Sequence, residues 1–422
     1  MSVTDRDDAG GSGSSESIEA DSPEGRALQI EFLKALIRKP SENPPGDCAP
    51  HAELTAQLLE ELGFTVEHHP VPDPFVRSHG MKSVVNLVIR ERFGSASGPT
   101  IALNVHGDVV PVGEGWTLDP YAAEEKGGAI FGRGAAVSKG DIATYAFALL
   151  ALKERAEGLD GTVELHITYD EEVGGFLGPQ WLLEHEISRP DYAISTGFTY
   201  SVVVAHNGCL HMEVIVRGQQ AHAAVPDSGA DALEAATAIL SSIYDERRRL
   251  RGIVSETPGI GSPSITVGLI AGGMNTNVVP ELITMRIDRR LTPEEDGSRV
   301  EAELIQLIEN VAHSHSGIEV ECRRLILAEP LRTVPGTERL VEAIQKHALT
   351  ILGETPPATA VPLYTDARHY AARGIPTVLY GAGPRSILEA NAQVADEHVR
   401  ISDLAAATRV LEAALRDLLV PR

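Results

Sequence analysis

Apolar positions set the outline of this chain. In Ala27–Lys39 the residues Leu28, Ile30, Phe32, Leu33, Leu36 and Ile37 recur at roughly helical spacing, which predicts a helix starting near Pro23. A second helix is predicted in His51–Gly63, closed by Gly63. Strand and helix patterns then alternate. Runs 83–91, 99–108 and 161–172 read as strands; Lys139 to about Ala156 and the stretch after Gly178 read as helices. That alternation predicts an α/β domain on a largely parallel or mixed sheet.

The middle of the chain changes character. Run 208–218 alternates apolar and polar residues, 231–252 is a long amphipathic helix, 264–273 and 282–291 are strands, 294–312 is a helix, and 317–326 is a strand. This β-α-β-β-α-β order predicts a small ferredoxin-like α+β unit inserted into the first domain. The expected division is a disordered tail over 1–22, a catalytic domain over 23–207 and 323–422, and an inserted unit over 208–322. Residues 1–22 are Gly, Ser and acid with almost no apolar content.

Composition narrows the function. The 422 residues carry 36 Lys+Arg and 60 Asp+Glu, a formal charge of −24. That balance argues against nucleic acid and anionic membranes as partners, because their phosphates would be repelled. No uninterrupted apolar run reaches the roughly 20 residues of a membrane helix, and the N-terminus lacks a basic patch followed by an apolar stretch. Cys48, Cys209 and Cys322 form no CxxC pair. A cytoplasmic location is expected, and a disulfide framework or thiolate zinc site is not.

Two motifs carry candidate chemistry. His106-Gly107-Asp108 ends the apolar strand, and ligands in open α/β sheets bind beyond the carboxyl ends of strands. His106 is placed to bind a metal, and Asp108 to fix the tautomer of its imidazole. Asp170-Glu171-Glu172 ends another strand. Adjacent carboxylates repel unless something positive sits among them, and a divalent ion would hold one while its neighbour acts as general base. Singly, each motif also reads as a bland loop.

Together, and with Gly132-Arg133-Gly134-Ala135…Lys139-Gly140, Gly218…His222…Pro226 and Asn277…Pro280…Asp288-Arg289-Arg290, they give the sequence a resemblance from about residue 25 to 420. It resembles the metallo-aminoacylase, acetylornithine deacetylase and carboxypeptidase G family of co-catalytic zinc hydrolases. The resemblance implies a phosphorylase/hydrolase-like α/β catalytic domain with an inserted ferredoxin-like dimerisation (lid) domain. It further implies His106 and Glu172 as metal ligands, Asp108 as the carboxylate that orients His106, and Glu171 as general base. His222 is implied to reach a partner subunit's site, and Asn277 and Arg290 to grip a substrate carboxylate.

The pattern also departs from that family. Val137 stands in the slot of the bridging Asp, Gly197 in that of a Glu, and Gln393 in that of a His. Valine cannot screen two ions about 3.5–4 Å apart. One divalent transition metal, manganese or zinc with iron and cobalt open, is therefore expected. Asp141, four residues after Val137, is either a displaced carboxylate ligand or an acid at a helix start. The expected function is a homo-oligomeric metal-dependent hydrolase acting on a C–N bond of a small carboxylate substrate. Loss of the second ion suits hydrolytic deamination of an electron-poor aminobenzoate, and within the family that profile is similar to the aminohydrolase acting on 5-nitroanthranilate. The alternatives are N-acyl amino acid or dipeptide hydrolysis, and a catalytically dead binding or scaffold protein.

Overall fold

The computed structural model describes residues 22–386 and 388–421. The expected tail lies outside them except for Ser22, whose Oγ accepts the amide of Gly25 and caps the helix Pro23–Arg38.

Among the described residues the largest sheet has eight strands. Their order is Val66–Pro70, Val85–Phe93, Gly161–Thr168, Thr100–His106, Tyr192–Ser195, Thr377–Leu379, Val202–His206 and Ala358–Val361. The sheet is mixed. Thr100–His106 runs parallel to both neighbours, whereas Val85–Phe93 is antiparallel to Gly161–Thr168. Gly161–Thr168 is buried along its whole length, and Thr100–His106 along all but its first residue. That burial explains the near-continuous apolar run of Thr100–His106, whereas Gly161–Thr168 alternates and buries Thr162, Glu164, His166 and Thr168 as well. The sequence pattern passes over Tyr192–Ser195, Val202–His206 and Ala358–Val361, which at four or five residues are too short to show a period.

The helix Gly140–Glu154 crosses the back of this sheet, with twelve of its fifteen residues buried. With the turn before it, the stretch Ala135–Glu154 has the length and apolarity of a membrane span, but nearly all of it is buried in the protein. It is a core helix, packed against Pro23–Arg38 and Ile401–Leu419.

A second, antiparallel sheet lies within residues 208–328, in the order Ser264–Gly272, Leu282–Leu291, Gly208–Arg217, Glu319–Ala328. The helices Ala232–Leu250 and Gly297–Ala312 cover one of its faces around Met212, Val214, Ile239, Met285, Ile287 and Ile308. This is the expected β-α-β-β-α-β order, and its last strand continues past residue 322.

Candidate active site

Adjacent strands bring the two motifs together. Thr100–His106 and Gly161–Thr168 pair in parallel, with His106 opposite Thr168, so both chains leave the sheet at the same end. Gly107 donates to Thr168 O at 2.8 Å. A Cβ at Gly107 would lie 2.4 Å from the Tyr169 ring, so only glycine lets the two turns close on each other.

Asp108 ties these turns into one unit. It is fully buried. Its carboxylate accepts the amides of Glu171 (3.3 Å) and Glu172 (3.2 Å) and the side-chain amide of Asn43 (2.9 Å). His106 Nδ1 lies 3.0 Å from Asp108 O and 3.3 Å from its Oδ1. With Nδ1 engaged there, Nε2 is the nitrogen left for the acids, and it lies 3.9 Å from Glu171 Oε2. One ligand atom each from His106, Glu171 and Glu172 lies within 4.8 Å of the others, the one such group among the described residues.

Charge is unbalanced in this group. Burial pushes Glu171 and Glu172 above the usual carboxylate range, and the charge of the neighbouring acids adds to it. Burial works against the imidazolium of His106, but Glu171, Asp108 and Glu172 outweigh it and hold its pKa well above the ordinary value. At Glu171 the charges of His106 and the buried Arg368 work against the rise of the carboxyl.

Gln393 meets Glu172 directly, its Nε2 donating to Oε1 at 3.1 Å and Oε2 at 3.2 Å. Val137, Gly197 and Gln393 line one cavity of about 200 Å³ together with His106 and Glu171. The donor set therefore does not fit a pair of ions: one of the three positions is aliphatic, one has no side chain, and one is an amide already bonded to Glu172. It does fit a single divalent cation among His106, Glu171 and Glu172, all oxygen and nitrogen donors.

Asp141 is not brought into this group. Val137 and Ser138 have non-helical backbone angles and the helix begins only at Gly140, so the one-turn relation between 137 and 141 does not exist. The buried Asp141 carboxylate instead accepts the hydroxyl of Thr196 and the amides of Gly197 (3.1 Å) and Ala382 (2.6 Å). Burial raises its pKa to about 6, against these hydrogen bonds. It is an anchor for two loops that close the cavity.

His222, Asn277 and Arg290 lie on the second sheet and its loops. His222 is exposed, bridges Val278, and takes the Ala224 amide on Nδ1 at 3.0 Å. Asn277 is also exposed. Arg290 Nε is held by Asp288 Oδ1 at 2.9 Å, and Asp288 lies 3.3 Å from His211 Nε2. None of the three contacts His106, Glu171 or Glu172 within this chain.

Sequence reading missed Tyr364 and Arg368. Both follow the short strand Ala358–Val361. Tyr364 lines the cavity, and the buried Arg368 lowers the pKa of Glu171 through its charge. The run Leu363-Tyr364-Thr365-Asp366-Ala367-Arg368 carried a usable signal, mixed polar and aromatic residues directly after an apolar strand.

The model of the peptidase family M20/M25/M40 matches residues 102–417. The chain belongs to that family. Similar M20 relatives include a succinyl-diaminopimelate desuccinylase of Gluconacetobacter diazotrophicus, 31% identical over 92% of this chain and 97% of the relative. An acetylornithine deacetylase of Myxococcus xanthus is 31% identical over 87% of this chain and 91% of its own. An M20 metallo-carboxypeptidase of Sulfolobus solfataricus has the same fold, with a TM-score of 0.74 at 20% identity, covering 95% of this chain and 100% of that one. This M20 chain is a member of a hydrolase family, built on the family's mixed α/β fold, and it carries a candidate metal centre.

Proposed function

We propose that this protein is a one-ion hydrolase that cleaves the C–N bond of a small N-acyl amino acid or dipeptide-like carboxylate. The observation that carries the reading is the convergence of His106, Glu171 and Glu172 on one point, beside three family metal positions that cannot supply a second ion. His106 and Glu172 would hold the ion, with manganese or zinc as the metals the donors suit. Such an ion polarises a carbonyl and makes a nearby water more acidic.

The residues then divide the work. Asp108 fixes the His106 ring through Nδ1 and holds the Glu171 and Glu172 amides, so the three donors keep one geometry. Glu171 takes the proton from the attacking water and returns it to the leaving amine as the C–N bond breaks. Arg290 and Asn277 bind the substrate carboxylate, the planar guanidinium spanning both oxygens. His222, with Nδ1 taken by the Ala224 amide, acts through Nε2 on a partner subunit's site, so the working unit is a homo-oligomer. The free cysteines Cys48, Cys209 and Cys322 agree with a cytoplasmic setting.

Amide cleavage takes precedence over aminobenzoate deamination. Ligand loss alone suggested the latter, but the relatives are named for removing succinyl and acetyl groups. The test is turnover of a panel of N-acyl amino acids and dipeptides by the metal-loaded protein. Activity that vanishes on chelation and returns with Mn²⁺ or Zn²⁺ supports the reading. A protein that binds carboxylates but never cleaves them would be the scaffold that Val137, Gly197 and Gln393 otherwise favour.

A further inference from the structure

We infer that the cavity beside Glu171 receives an apolar acyl group, and that Val137, Gly197, Phe198 and Leu363 select for it. The assignment rests on the hydrolase reading for which bond reacts, but the cavity argues for its own occupant.

All three positions that depart from the family's metal pattern open on this one space of about 200 Å³. Its walls carry Val137, Phe198, Leu363, Tyr364 and Leu379. The two threonines that line it have hydroxyls engaged elsewhere: Thr196 donates to Asp141, and Thr365 Oγ1 meets His206 Nε2 at 3.1 Å. Gln393 spends its amide on Glu172. What these residues leave facing the space is mainly hydrocarbon. An apolar cavity of roughly 150 Å³ is enough to take a benzene ring.

Gly197 is a backbone wall. A Cβ there would lie 2.6 Å from Tyr380 N and 2.7 Å from Leu379 C, so a carboxylate-bearing side chain cannot return without moving the chain. The loop is held shut by Asp141, which bonds both the Gly197 and Ala382 amides. The space is thus a built feature of this backbone.

Charge sets the selection. No Lys or Arg is among the described residues lining the cavity, while Glu171 is. A succinyl carboxylate buried against Val137, Phe198, Leu363 and Leu379, away from His106, would lose water with no side-chain partner there, and Glu171 would oppose it. An apolar group meets no such opposition and gains roughly fourfold in affinity per buried methylene.

The test is calorimetric titration of the full-length, metal-loaded protein and its Glu171→Gln variant with N-benzoyl-, N-acetyl- and N-succinylglycine. Benzoyl is expected to bind at least tenfold more tightly than acetyl, with succinyl weakest. Leu363→Arg, at a half-buried position, should raise succinyl binding and weaken benzoyl; Phe198→Ala should weaken benzoyl and leave succinyl unchanged. Equal or tighter binding of succinyl in the unaltered protein would overturn the inference, as would no binding of any of the three. Turnover of acetyl or succinyl substrates without a benzoyl preference would sink the cavity assignment and spare the hydrolase. Preferential benzoyl binding without turnover of any substrate would do the reverse.

Discussion

Gln393 donates its side-chain amide to both carboxylate oxygens of Glu172, at 3.1 and 3.2 Å. An amide thus occupies the oxygens of a candidate ligand, from the position where the family pattern carries a His. Gln393→His would exchange that donor for an imidazole able to bind the ion itself. The variant should bind Zn²⁺ or Mn²⁺ at least tenfold more tightly, about 1.4 kcal/mol, in competition with a chelating dye. Unchanged affinity would mean residue 393 does not face the ion.

Glu171→Gln keeps the shape of the side chain and removes the base. Its kcat should fall about 10²- to 10⁴-fold with KM little changed, since proton transfer is lost and substrate contacts are not. Steady-state kinetics on the best N-acyl substrate measures this. A fall confined to KM would assign Glu171 to binding instead.

Asp141→Asn separates an anchor from a ligand. An amide in place of the carboxylate turns a donor toward either the Gly197 or the Ala382 amide, and one buried N–H loses its acceptor. A loss of about 1–3 kcal/mol in stability is expected, read by denaturant unfolding, with the bound metal per chain unchanged. Loss of metal in a protein of unaltered stability would restore Asp141 as a ligand.

His211 should give a basic limb to stability. Asp288 and then Cys209 raise its pKa to about 9, against a smaller effect of burial. A raised imidazole pKa means the folded protein holds the proton more tightly than the unfolded chain. The added stability is complete below pH 6.5 and disappears as pH rises through about 9. Thermal unfolding across that window should show the loss in the unaltered protein and a flatter profile in His211→Gln. Identical profiles would show that Asp288 answers to Arg290 alone.

Much of the fold is legible because its strongest elements are long and periodic. Helices such as Pro23–Arg38 and Ala232–Leu250, and strands such as Thr100–His106, announce themselves in the apolar pattern. The short strands Tyr192–Ser195, Val202–His206 and Ala358–Val361 do not. At the site, His106, Asp108, Glu171 and Glu172 could be read from two strand ends. Asp141 could not be placed, because its relation to Val137 depended on where a helix began, and two non-helical residues decide that. Tyr364 and Arg368 arrive from a distant strand, and their nearness to Glu171 exists only in the folded sheet.

The most direct test counts metal against turnover. Elemental analysis of the saturated, dialysed protein, paired with its rate on an N-acyl amino acid, should give one divalent ion per chain and a rate proportional to that ion. Two ions per chain, or full turnover in protein stripped of metal, would contradict a single cation held by His106 and Glu172.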